Sequence, residues 1–138
     1  MINGNKPILL VEDDEVDIMT VKRSLKEIKI TNPLNVVNNG EEALSYLNEK
    51  YPLLPSIILL DINMPRMNGI EFLKHAKADE RFKRIPVIIL TTSKEEQDRY
   101  ASFNLSVAGY MVKPVDYQQF VELMRTIEVY WSISQLSL

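Results

Sequence analysis

The stretch "IILLDINMPRMNG", residues 57–69, decides how this chain folds. Four aliphatic residues, Ile57 to Leu60, run without a polar interruption and stop at a carboxylate, Asp61. A continuous apolar run, rather than one alternating with polar residues, is what a strand covered on both faces requires, and such strands belong to parallel sheets. After Asp61 the composition changes to turn formers. Asn68 stands three residues before Glu71, the spacing of an N-cap side chain and a residue at the third helical position. Ile70, Leu73 and Ala76 then recur at helical spacing. One buried strand, one carboxylate, one turn and one helix follow in order.

The same order repeats along the chain. Further apolar runs stand at Ile8–Val11, Leu34–Val37, Val87–Leu90 and Tyr110–Val112. Between them, Ile18, Val21, Leu25 and Ile28 form one amphipathic pattern, and Ala43, Leu44 and Leu47 a shorter one. Phe120, Leu123, Met124, Ile127 and Trp131 form the strongest. The segment "KEEQDRYASFN", residues 94–104, is polar, with Tyr100 and Phe103 as its large apolar residues. Asn39 precedes Glu42, Ser93 precedes Glu96 and Asp116 precedes Gln119 at the capping spacing. Five strands alternating with five helices predict a doubly wound α/β fold, a (βα)5 parallel sheet with helices on both faces. No linker or long charge run divides the 138 residues. A single domain over 1–138 is expected, with a core at about 6–128 and a C-terminal helix extension at about 129–138.

Composition narrows the function. A net charge of -3 argues against a nucleic-acid surface, which needs a basic patch. No apolar run approaches the roughly 18 residues that span a membrane, and the N-terminus lacks a secretory pattern. The absence of cysteine excludes disulfides, thiolate metal sites and Cys nucleophiles, and fits a cytoplasmic location. The single histidine, His75, falls on a polar helix face without metal-ligand company.

In open parallel sheets, ligands collect outside the carboxyl ends of the strands. Those ends carry Glu12-Asp13, Asp61, Thr91-Thr92-Ser93 and Lys113-Pro114. Carboxylates this close are tolerated when one is protonated or a cation neutralises them. All-oxygen donors without Cys or His favour a hard cation, Mg2+ above Ca2+ or Zn2+. The run "VEDDEVD", residues 11–17, therefore divides. Glu12 and Asp13 end the first strand. Asp14, Glu15 and Asp17 read as the solvated start of the next helix, with Asp14 as N-cap and the helix dipole favouring all three.

"LLVEDD", "LLDINMPRMNG", "VIILTTS" and "GYMVKPVD" resemble, in order and spacing, the signature segments of response-regulator receiver domains, over roughly residues 6–128. The resemblance implies a flavodoxin-like sheet with strand order 2-1-3-4-5. It implies a stand-alone response regulator of a two-component phosphorelay, in which Asp61 accepts a phosphoryl group in an Mg2+-dependent reaction. Asp13 would hold Mg2+ directly, with Asp61 and the backbone carbonyl of Asn63, and Glu12 would act through a metal-bound water. Lys113 would pair with a phosphoryl oxygen, Thr91 would hydrogen-bond the phosphoryl group, and Tyr110 would be the aromatic that moves with Thr91. The family's Lys113–Pro114 peptide is usually cis. The implied partners are a sensor histidine kinase or phosphotransfer protein and a downstream protein target. The tail "IEVYWSISQLSL", with Tyr130 and Trp131, reads either as a helix packing on its own chain or as a homodimer or partner interface. The tail and the insert "KADERFKRIP" are similar to regulators paired with bacterial phytochromes, which would make the kinase a light sensor.

Two rivals remain. A phosphate-independent receiver-like interaction module would lack part of the set Asp13, Asp61, Thr91 and Lys113, which is complete here. An Asp-nucleophile phosphatase would place a second Asp two residues after the nucleophile, where this chain has Asn63.

Overall fold

Apolar runs without alternation become strands whose side chains point by turns into two separate cores. The computed structural model describes residues 6–64 and 67–123. Within them lie β1 (Ile8–Val11), α1 (Glu15–Glu27), β2 (Leu34–Val37), α2 (Gly40–Lys50) and β3 (Ile57–Asp61). They are followed by α3 (Gly69–Ala78), β4 (Val87–Thr91), α4 (Lys94–Ala101) and β5 (Gly109–Val112). Residues 117–123 open a fifth helix, α5. The expected helix extension, with Tyr130 and Trp131, lies outside the described residues.

The strands form one parallel sheet in the order β2-β1-β3-β4-β5, as the resemblance implies. Ile8, Leu10, Ile57, Leu59, Ile88 and Leu90 face the core shared with α1 and α5. Their neighbours Leu9, Val11, Ile58, Leu60, Val87 and Ile89 face the core shared with α2 and α3. Every one of those residues is at most 1% exposed, so neither face of the central strands could carry a polar side chain without a partner. No helix among the described residues is long and apolar enough to cross a membrane.

The expected N-caps are all made. Side-chain oxygens of Asp14, Asn39, Asn68, Ser93 and Asp116 accept from the backbone N–H three residues on, at 2.8–3.1 Å. The returning half of the capping box differs from expectation. Glu42 and Glu96 accept from the N–H of Asn38 and Thr92, one residue before the N-cap. Gln119 instead bonds both the N–H and the C=O of Val112, at 2.8 and 2.9 Å, closing the open edge of β5 as a further strand would.

The chain passes from β1 outward to β2, then returns across β1 to β3. That reversal places the carboxyl ends of β1 and β3 side by side at the topological switch point, where such sheets bind ligands. The loop after β3 is held closely from behind. A side chain at Gly69 would meet the Asp61 carbonyl at 2.8 Å and the Ile62 Cα at 2.7 Å. Gly69→Ala is therefore expected to destabilise the fold by about 1–3 kcal/mol, as overpacking against backbone does. Urea unfolding checks this, and a midpoint equal to the parent's refutes it.

Candidate functional site

Strand register brings the four rim positions together. Val11 lies opposite Leu60, Asp61 opposite Leu90, and Thr91 opposite Val112. The residues one step beyond each pairing, Glu12, Asp61, Thr91 and Lys113, thus end neighbouring strands on one rim. The Lys113 N–H donates to the Thr91 carbonyl at 2.7 Å, and the Lys113–Pro114 peptide that follows is cis. A second cis bond, Tyr51–Pro52, had no signature in the sequence.

Asp61 is 1% exposed. Its Oδ1 accepts the Asn63 N–H at 3.0 Å, and its Oδ2 lies 3.2 Å from Lys113 Nζ. Glu12 is fully buried, and its Oε2 accepts from the N–H groups of Asp13 and Asp14 at 3.1 and 3.3 Å. Lys113 Nζ donates to Glu12 Oε1 at 3.1 Å and to Asp17 Oδ2 at 2.9 Å. One ammonium is thus ringed by three carboxylates. Asp13 is exposed, so the cluster is open to solvent on that side.

Burial, a hydrogen bond to Asp61 and the Asp61 charge push the Glu12 carboxyl up to about 8, against the opposing pull of Lys113. Burial alone would lower Lys113, but the Asp17 hydrogen bond, the Asp61 charge and the Glu12 contacts outweigh it and raise its pKa. In the metal-free cluster these effects favour the protonated form of Glu12, the first of the two ways in which crowded carboxylates are tolerated.

A pH dependence follows. The folded state keeps the Glu12 proton that the unfolded chain gives up near 4.5. That contribution to stability is complete below about 4.5 and is lost as pH rises through about 8. Lys113, with its pKa raised, contributes fully throughout this window. Urea midpoints of the metal-free protein are expected to fall between those pH values, and a divalent cation should remove the fall by replacing the proton. A flat profile without metal, or the same slope in Glu12→Gln, would contradict the assignment.

Thr91 is fully buried, and its one hydroxyl proton has two acceptors in reach, the carbonyls of Ser93 and Met111, at 3.3 and 3.4 Å. The Tyr110 hydroxyl donates to the Tyr100 carbonyl at 3.3 Å, and burial raises its pKa. Asn63 reaches across the mouth of the site: its Nδ2 donates to both carboxylate oxygens of Glu96, at 3.2 and 3.1 Å. Glu96 also accepts the Thr92 N–H at 2.8 Å. Burial works against its charge, but the Thr92 and Asn63 hydrogen bonds prevail and lower its pKa.

Two of these side chains have a second role beyond the helix start their sequence positions indicate. Asp17 does sit at the third helical position, capped by Asp14, yet its carboxylate is half-buried against Lys113 rather than solvated. Glu96 does open α4, yet it also ties α4 to the loop after β3. No local signal marks either contact, because the partners lie 96 and 33 residues away.

Comparison with known proteins agrees with this geometry. Residues 8–125 match the response regulator receiver domain. This chain belongs to that family. Response regulator Rcp1 of Synechocystis sp. is 36% identical over 133 residues, covering 94% of this chain and 90% of Rcp1. The solved structure of the bacteriophytochrome response regulator AtBRR superposes with TM-score 0.84 at 36% identity, covering 94% of this chain and 96% of that one. The Mn2+-bound form of Rcp1 superposes with TM-score 0.70 at 36% identity, covering 91% and 94%. As a receiver domain, the chain is a component of two-component signalling, in which receiver domains work with histidine kinases and take a phosphoryl group on an aspartate. Glu12, Asp13 and Asp61 each offer a carboxylate oxygen, and these lie within 4.8 Å of one another. That all-oxygen set, with one member exposed, fits Mg2+, the ion of this family.

Proposed function

We propose that this chain is a single-domain, stand-alone response regulator whose Asp61 is the phosphoacceptor. The observation that carries the reading is the placement of Asp61: buried at the switch point, 3.2 Å from an ammonium and within reach of two further carboxylates. Phosphoryl transfer asks little covalent work of a protein, since positioning and cationic charge around the three equatorial oxygens supply most of the rate. Asp13, Asp61 and the backbone carbonyl of Asn63 would hold Mg2+, with Glu12 beside them, and the ion would neutralise charge on the transferring phosphoryl group. A carboxylate oxygen of Asp61 attacks phosphorus, the bond to the donor's histidine nitrogen breaks, and the departing imidazole takes a proton. Lys113 pairs with a phosphoryl oxygen. The Thr91 hydroxyl leaves its backbone acceptors for the phosphoryl group, and Tyr110 shifts with it.

The chain spans 90% of Rcp1 and 96% of AtBRR, a likeness that supports the reading as a response regulator of their kind. Signal then passes through changed protein contacts in the cytoplasm. The kinase is a phytochrome-type sensor, a choice supported by the two phytochrome response regulators AtBRR and RcpA, the latter 35% identical with TM-score 0.72. Incubation with acetyl phosphate and Mg2+ should add one phosphoryl group by mass, and Asp61→Asn should remove the addition. Labelling that survives this substitution sinks the assignment. Faster transfer from a non-phytochrome kinase in a purified panel would sink the choice of partner.

A further inference from the structure

We infer that Asp17 is a positioning residue for phosphoryl transfer, one that holds the Lys113 ammonium beside Asp61 without letting it tie up the acceptor carboxylate. The inference rests on the role proposed above for Lys113. An ammonium has three N–H donors. Two are committed, one to Asp17 Oδ2 at 2.9 Å and one to Glu12 Oε1 at 3.1 Å. Asp61 Oδ2 lies at ion-pair distance, 3.2 Å, but without hydrogen-bond geometry, so its attraction acts through charge alone.

This division of contacts has a chemical use. Asp61 Oδ1 already accepts the Asn63 N–H. A full hydrogen bond from Lys113 to Oδ2 would occupy the other oxygen and blunt the nucleophile. A lysine released altogether would follow its four-carbon stem into water. Asp17 prevents both, because it takes one donor from the side of α1. Its own backbone is fixed, since the Asp17 N–H is capped by Asp14 Oδ1 at 3.0 Å. The pair is shielded from water, with side chains 13% exposed for Lys113 and 23% for Asp17. One donor of Nζ therefore stays free for an arriving phosphoryl oxygen.

The test compares the full chain with Asp17→Asn and Asp17→Glu. The first readout is the Lys113 Nζ proton–nitrogen signal in the metal-free protein, slowed in solvent exchange by its acceptors and expected to vanish in Asp17→Asn. The second is the phosphorylation rate with acetyl phosphate at saturating Mg2+, expected to fall about tenfold in Asp17→Asn, as for one lost charged hydrogen bond. Calorimetric Mg2+ affinity should change little, and Asp17→Glu should recover most of the rate. An unchanged Lys113 signal with an unchanged rate overturns the inference. So does a rate loss that Glu does not rescue and that follows a lowered unfolding midpoint, which marks a structural role. If the parent protein takes up no phosphoryl group, the functional reading fails, and the clamp stands or falls on the Lys113 signal alone.

Discussion

Asp61→Asn brings phosphoryl incorporation to background while leaving the fold intact. An amide has the shape of the carboxylate but no anionic oxygen with which to attack phosphorus, and no neighbour can replace it. Glu12 is buried and bound to two backbone N–H groups and Lys113, and Asp13 is at the solvent edge. The substitution has a second expected result. The Asp61 hydrogen bond and charge both hold the Glu12 carboxyl up, so their removal lets Glu12 ionise at lower pH. Above about 8, where both groups would otherwise be charged, the metal-free variant is relieved of a repulsion of about 3–4 kcal/mol, that of two like charges within 4.8 Å at an effective dielectric near 20. Intact-mass measurement checks the first result and urea midpoints across pH the second. A variant with the parent's pH profile of stability would show that Asp61 and Glu12 do not repel.

Lys113→Ala is the other large effect, and it divides between stability and rate. Without metal, it leaves Glu12 and Asp61 buried with no positive partner, and breaking such a group costs about 3–5 kcal/mol. For a domain of this size that corresponds to a melting temperature lower by roughly 10–17 °C. Saturating Mg2+ should restore much of the loss, because it answers the same carboxylates. It should not restore the phosphorylation rate, which is expected to stay down about 10²–10³-fold, the usual consequence of removing one positioned donor from a developing anion. Thermal melts with and without Mg2+, beside acetyl phosphate kinetics, separate the two. A melting temperature that does not move would show that the proton on Glu12 alone balances the cluster.

Much of this architecture is legible in the residues themselves. Strands β3 and β4 each run one residue further than the apolar stretches suggest, through Asp61 and Thr91, because the ladder continues to the rim and takes the functional residue with it. The caps at Asn39, Asn68, Ser93 and Asp116 are legible because a cap is a contact across three residues. The carboxylate trio Glu12, Asp13 and Asp61 is legible once parallel strands are granted, since their ends must converge. Asp17 is not, because a good local explanation, the third helical position, already accounts for it. The Asn63–Glu96 contact is hidden for the same reason. A side chain with one adequate local role gives no sign of a second, distant one.

That contact bears on how the domain changes shape. α4 buries none of its residues, and its ring pair Tyr100 and Phe103 meets edge to face with Phe103 exposed. Its hold on the loop after β3 is a charged hydrogen bond worth about 1.5–3 kcal/mol. Allosteric coupling energies fall in the same range, about 1–3 kcal/mol. A tether of that size is small enough for new contacts at the site to outweigh. Glu96→Gln, which removes the charge from that bond, should therefore loosen α4 with no phosphoryl group at all, read as faster amide exchange across Lys94–Ala101.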